Sequence, residues 1–365
     1  MLYLDHNSTT LVRPIAVAAM TAALAAVGNP SSVHGPGQAS CRRVEEARRA
    51  VAALTGATLE DIIFTSGGTE ANNLALLGHP DRRLLATAVE HDSVLLVPGV
   101  ETIPVDARGV IDLAALAAAL ADDPRPALVA VMGANNETGV IQPVAAAAAI
   151  VHAHGGLLHC DAVQAAGKIP VDLATLDADS LAVSAHKLGG PQGVGALVAR
   201  PGAVPVARTF GGRQEGRRRA GTENVPGLAG FGAAATAARA GLPDMARLAA
   251  WRDALEAGAR AIMPDVMVLG AGAERLPNTT CLAVPGLAGH LLVMALDLEG
   301  IAVAAGAACG AGRTEPSHVP VAMGCVPDVA GAAVRVSLGW TSYRSDIDAF
   351  LTAWTKVVAR ARRIA

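Results

Sequence analysis

The chain has 365 residues, a formal net charge of -3, and 52% hydrophobic residues of which few are aromatic. The length exceeds one average domain and sets the expectation of one large domain plus a smaller one. A pI near 6.4 leaves no basic footprint for nucleic acid, and uncharged stretches such as 138–160 are interrupted by Pro, Gln, His or Gly, so no membrane-spanning helix is expected.

The start, Met1-Leu2-Tyr3-Leu4-Asp5-His6, has neither a basic nor an apolar leader region, so no signal peptide is expected. Cysteines stand at 41, 160, 281, 309 and 325. An odd number without close pairing points to reduced thiols and a cytoplasmic setting.

In chain order, residues 3–10 read as a short strand entering a polar turn. Residues 14–26 read as a helix with Pro14 at its start. Residues 38–54 read as an amphipathic helix, with Val44, Ala47, Val51 and Leu54 on one face. Strands at 62–64, 84–88, 128–132, 157–160, 181–183 and 194–198 then alternate with helices at 69–77, 112–120 and 143–152. This rhythm predicts an α/β fold: a mostly parallel sheet covered by helices, with ligands at the carboxyl ends of the strands. After Phe231 the pattern becomes helical to Arg260, with a break at Pro243. Short strands follow near 280–284, 301–304 and 333–338. The last helix is expected to start at Ser345 as N-cap and to bury Ile347, Phe350, Leu351, Trp354, Val357 and Val358. The division expected is 13–245 as a large domain, and 1–12 with 246–365 as a smaller α+β domain.

The polar motifs fall at strand ends. Lysine occurs only at 168, 187 and 356. Lys187 ends Ser184-Ala185-His186-Lys187, just after a strand. An amine in a partly dry site can lose its proton and attack a carbonyl, which a guanidinium cannot do; a surface lysine on a loop is the plain alternative. Thr65-Ser66-Gly67-Gly68-Thr69-Glu70 joins a strand to a helix and reads either as an anion cradle or as an ordinary capped turn. In His159-Cys160-Asp161-Ala162-Val163-Gln164, the strand-end acid can pair with a protonated ring nitrogen. His152, His154, His159 and Cys160 lie close in sequence but lack ligand spacing, so no metal is expected. Asn135-Asn136-Glu137-Thr138-Gly139 and Glu90-His91 end two further strands. Arg335 interrupts an apolar strand and needs an anion, either a substrate carboxylate or a structural ion-pair partner.

Together these motifs resemble the class V aminotransferase family, and within it the cysteine desulfurases of the NifS/IscS type. The resemblance spans Tyr3-Leu4-Asp5, Gly28-Asn29-Pro30-Ser31-Ser32, the motifs above, Arg219-Ala220-Gly221-Thr222-Glu223-Asn224, Gly306-Ala307-Ala308-Cys309, Glu315-Pro316-Ser317-His318-Val319 and Arg335-Val336-Ser337-Leu338-Gly339. It implies a pyridoxal phosphate-dependent enzyme of fold type I, with Lys187 joined to the cofactor as a Schiff base. It also implies that Asp161 pairs with the pyridine nitrogen, that Gln164 and Asn136 lie near the ring oxygen, and that His91 stacks on the ring. Gly68, Thr69, Ser184 and His186 would bind the phosphate. Thr222 would reach the phosphate of a neighbouring subunit, which implies a homodimer. Arg335 with Asn136 would hold the carboxylate of L-cysteine. Cys309 would take the sulfur as a persulfide and pass it to an acceptor protein, as in iron–sulfur cluster assembly. Gly306, Gly310 and Gly312 flank Cys309 and suit a thiol that must travel. The family's cysteine loop is usually Ser-rich; here it reads Ala304-Ala305-Gly306-Ala307-Ala308-Cys309. Selenocysteine lysis, kynurenine cleavage, transamination and a catalytically silent scaffold are the other readings, and the presence of Lys187, Asp161 and Cys309 speaks against the scaffold.

Overall fold

The computed structural model describes residues 1–306 and 316–362. The strands are β1 (Leu2–Tyr3), β2 (Ile62–Thr65), β3 (Arg83–Thr87), β4 (Val100–Ile103), β5 (Ala127–Ala130), β6 (Leu157–Asp161), β7 (Ser180–Ser184), β8 (Gly195–Ala199), β9 (Met267–Val268), β10 (Thr279–Ala283), β11 (Ile301–Ala302), β12 (Ala304–Ala305) and β13 (Ala333–Ser337). The helices are α1 (Pro14–Leu24), α2 (Gly35–Thr55), α3 (Gly68–Leu77), α4 (Asp92–Leu95), α5 (Leu113–Asp122), α6 (Val144–Ala153), α7 (Val225–Ala240), α8 (Met245–Ile262), α9 (Gly289–Leu298), α10 (His318–Ala322), α11 (Pro327–Ala330) and α12 (Arg344–Ala361).

The main sheet has the order β2-β8-β7-β6-β5-β3-β4. Only β8 runs against its neighbours, pairing antiparallel with both β2 and β7. Its strands are apolar on both faces because both are covered. Along β2, Ile62 and Phe64 join one core cluster while Ile63 joins the opposite one; along β7, Leu181 and Val183 face one way and Ala182 the other. The larger cluster lies under α1, α2, α5, α6 and α7, and the smaller one under α3 and α4. An aromatic-poor chain closes this core by bringing helices together over small residues. A Cβ on Gly232 of α7 would sit 2.7 Å from Ala47 Cα of α2, a backbone approach that only glycine permits.

A second, antiparallel sheet, β12-β13-β10-β9, carries its own core against α8, α9 and α12. There Phe350 and Trp354 stack with ring centroids 5.7 Å apart. β1 pairs in parallel with β11, so the start of the chain belongs to this second sheet's side.

The element types follow the sequence expectation, and several boundaries move. α2 begins at Gly35, with Pro36 in its first turn and His34 as cap: His34 Nδ1 accepts the Gly37 N–H. α7 begins at Val225, six residues before Phe231, where Asn224 Oδ1 accepts the Gly227 N–H. Ser345 is not the cap of α12. The helix starts one residue earlier, and Asp346 accepts the Tyr343 N–H at 2.8 Å. The carboxylate at the third helical position thus reaches back to the N–H of the N-cap residue, the reciprocal half of a capping box. β4, β9, α4, α9, α10 and α11 were not expected; all but the ten-residue α9 are five residues or fewer, too short to show a period.

Candidate active site

The polar strand ends converge. Gly68, Thr69, His91, Asn136, Asp161, Gln164, Ser184, His186, Lys187 and Arg335 line one cavity of about 380 Å³, joined by Asn7, Ser8, Asn72 and Ser93. Thr222 is exposed and lies outside it, in a separate recess with Thr65, Ser66 and Arg219. Cys309 lies outside the described residues.

Asp161 closes β6. Its Oδ1 accepts the Val163 N–H at 2.9 Å and its Oδ2 accepts from Asn72 Nδ2 at 2.7 Å. Asn72 is four residues past Gly68 on α3 and so faces the same side. Its Oδ1 meets His159 Nε2 at 3.0 Å, and Ser180 Oγ meets His159 Nδ1 at 2.8 Å. Burial pulls His159 down to about 3, so the ring is neutral and serves as a fixed hydrogen-bonding bracket. The same Asn72 amide nitrogen donates to Ser93 Oγ, which also meets His91 Nδ1 at 2.9 Å. Ser93 thereby orients the His91 ring at the cavity wall.

The cradle is the start of α3. Its N-cap, Gly67, supplies no side-chain cap, so the first-turn N–H groups lack an intrahelical or capping acceptor. Glu70 braces the turn by accepting the Ser66 N–H at 2.7 Å and pairing with Arg219 at 2.7 Å. Such a helix start attracts an anion.

Lys187 follows β7 in a single 3₁₀ turn. Its Nζ donates to the carbonyl of Asn7 and, at 2.6 Å, to that of Ser8. His186 Nδ1 lies 3.2 Å from Thr9 Oγ1, and burial with the nearby charges of Lys187 and Lys168 pulls its ring down to about 4.

Arg335 is buried in β13. Nη1 donates to the Asn136 carbonyl at 3.0 Å, and Nη2 donates to Asp5 at 2.7 Å and Ser8 Oγ at 2.6 Å. Nε has no partner among the described residues. An ion pair and an open donor therefore coexist on one guanidinium. His152, part of the rejected metal group, pairs with Asp179 at 2.8 Å.

Sequence reasoning passed over Asn7, Ser8, Asn72 and Lys168. Asn72 was detectable as one helical turn from Gly68. Asn7 and Ser8 sit in a turn with no period, 157 and more residues from the side chains they bind, and nothing local marks them.

The donor set suits a flat, protonated heterocycle with an anionic tail: a carboxylate, an uncapped helix start and an amine line one cavity. Fold and cavity together define an α/β enzyme with its site at the carboxyl edge of the sheet. The chain belongs to the class V aminotransferase family, whose profile matches residues 2–350. It is 45% identical to a cysteine desulfurase of Cereibacter sphaeroides, over 99% of this chain and 97% of that one. It is 41% identical to an IscS-like cysteine desulfurase of Mycobacterium tuberculosis, over 100% and 98% of the two chains. Among solved structures, a NifS-like protein from Rickettsia africae superposes with a TM-score of 0.92 at 32% identity, covering 98% of this chain and 99% of its own. The fold is that of the type I pyridoxal phosphate-dependent enzymes.

Proposed function

We propose that this protein is a cysteine desulfurase that binds pyridoxal phosphate and L-cysteine in the cavity and moves the sulfur to Cys309, leaving L-alanine. The observation that carries the reading is the meeting of Lys187, Asp161 and the uncapped start of α3 in one cavity, in a chain 45% identical along its length to a cysteine desulfurase.

Enzymes of this family work with pyridoxal phosphate, and the residues present fit it. Lys187 would attach it through the amine. Asp161 would keep the pyridine nitrogen protonated, and Asn72 would hold Asp161 in place. Gly68, Thr69, Ser184 and His186 would take the phosphate. Gln164 and Asn136 would flank the ring and His91 would cover it. When bound, the cofactor supplies an electron sink next to the substrate α-carbon. Arg335 with Asn136 would hold the substrate carboxylate. The Cys309 thiolate would attack the substrate sulfur. An S–S bond forms as the substrate C–S bond breaks, and a proton completes alanine. A thiol reductant or an acceptor protein, such as one serving iron–sulfur assembly, then removes the outer sulfur.

The same proposal includes a homodimer in which Thr222 serves the neighbouring subunit's phosphate site. It divides the chain into a large domain, 13–245, and a small one, 1–12 with 246–365; the separate cores support this. It places the protein in the cytoplasm, and the absence of a disulfide among the described Cys41, Cys160, Cys281 and Cys325 supports that setting.

The test is purified protein with L-cysteine and a thiol reductant, assayed for alanine and sulfide together. Equal amounts of both are expected. Borohydride reduction and peptide mapping should place a pyridoxyl group on Lys187, and Cys309→Ser should retain the cofactor while releasing neither product. Alanine without sulfide, a pyridoxyl group on Lys168 or Lys356, or full turnover in Cys309→Ser would overturn the reading.

A further inference from the structure

Behind Lys187 lies a second lysine. Lys168, 8% exposed, makes no ion pair among the described residues; its Nζ donates to Asn7 Oδ1 at 3.0 Å and to Gln164 Oε1 at 2.5 Å. A buried ammonium without a carboxylate is expensive, and an apolar side chain would fill the same place at less cost. Its surroundings give it a task. Asn7 is where both lysines meet: Lys168 binds its side chain, and Lys187 binds its backbone carbonyl. Gln164 Nε2 donates to that same carbonyl at 3.0 Å, so Lys168 also fixes which way the Gln164 amide faces. The two lysines further share the wall of a second cavity, of about 30 Å³, room on the scale of a water molecule.

We propose that Lys168 is a positioning residue for Lys187: it holds the Asn7 and Gln164 groups that fix the Lys187 amine, and its charge disfavours a proton on the Lys187 nitrogen. A lysine beside another cation is an activated nucleophile. The groups around the pair reinforce the effect. Arg335 lies on β13 and Arg13 lines the second cavity, whereas burial keeps the nearby His6 and His186 rings neutral. Of the nearby carboxylates, Asp5 is committed to Arg335 at 2.7 Å, and Asp161 on the main cavity wall is held by Asn72 and the Val163 N–H. Burial, then Lys187 and Arg335, pushes Lys168 well below the usual lysine range, so the two amines compete for a proton, and Lys168 disfavours charge on Lys187 whenever it is the one that holds it.

This inference rests on the assignment of Lys187 as the cofactor lysine, which the borohydride mapping tests by itself. The experiment is a pH titration of the visible colour of the Lys187–pyridoxal chromophore in holoenzyme. Lys168→Met should raise the midpoint by about one pH unit, the effect of removing a nearby like charge, while Lys168→Arg should keep the wild-type midpoint. An unchanged midpoint in Lys168→Met, or an equal rise in Lys168→Arg, overturns the proposal even when the pyridoxyl group maps to Lys187. Should Lys168→Met not yield folded protein, pulse acetylation of wild-type protein freed of cofactor decides. Lys187 should then react with a midpoint about one pH unit or more below that of Lys356, which is exposed on α12; equal midpoints overturn it.

Discussion

At the scale of residues, the site is built by long-range pairs of unlike groups. Arg335 serves two masters: its Nη atoms are spent on Asp5, Ser8 and the Asn136 carbonyl, while Nε is open. A planar fork can do this; a point charge cannot. Arg335→Lys should therefore raise KM for L-cysteine by about tenfold or more, the scale of one charge-assisted hydrogen bond, with a smaller change in kcat. Steady-state kinetics check this, and an unchanged KM would make Arg335 purely the partner of Asp5. Asn72 bridges Asp161 and His159 with both ends of its amide. Asn72→Ala should leave Asp161 held only by the Val163 N–H and His159 only by Ser180. Cofactor retention after dialysis should fall by about tenfold, the scale of a lost buried hydrogen bond, and the holoenzyme spectrum reads it.

At the scale of elements, α3 does the most for the site. Its uncapped first turn faces the cavity, its second turn supplies Asn72, and its inner face packs on β6, β7 and β8. Gly68 is required by space: a Cβ there would lie 2.7 Å from Val163 Cγ2. Gly68→Val should keep the fold by circular dichroism yet lower cofactor affinity by about tenfold or more, since the added side chain crowds the turn and displaces its backbone donors from the anion; unchanged affinity would show that the cradle is not the phosphate site. The contrast between what could and could not be read in the sequence is clearest here. Strand β7 with Ser184 to Lys187, strand β6 with Asp161, and the turn into α3 are apolar runs ending in polar motifs, so they were legible. The capping of α12 was misread because Ser345 and Asp346 are adjacent and both a hydroxyl and a carboxylate suit a helix start. The bonds from Asn7 and Ser8 to Lys168, Lys187 and Arg335 depend on how two sheets meet, and no local pattern encodes that.

At the scale of the whole molecule, the segment from Asp5 to Thr10 ties the two sheets together. Asn7 and Asp5 bond to Ser337, Thr279 and Arg335 on the second sheet's side, and Asn7, Ser8 and Thr9 bond to Gln164, Lys187 and His186 on the other. Burying so many polar groups makes stability depend on pH in two opposed ways. Burial, joined by neighbouring lysine charge, pulls His6 and His186 from 6.5 to about 4, and burial takes His159 from 6.5 to about 3. Their contribution is present above the unfolded value and is lost as pH falls toward the folded ones. Burial, then Asp161, pushes Glu90 from 4.5 up to about 8, and burial pushes Glu137 up to about 7. Their contribution is present below the unfolded value and is lost as pH rises through 7 to 8. The melting temperature should therefore peak at roughly pH 6 and decline on both sides, by amounts on the order of a few kcal/mol in stability. Glu90→Gln keeps the shape of the neutral acid and should flatten the alkaline decline without changing the acid one. Thermal melts from pH 5 to 9 test this: a wild-type melting temperature that keeps rising from pH 6.5 to 9, or a Glu90→Gln curve parallel to it, would mean that these two carboxyls are ionised in the folded protein.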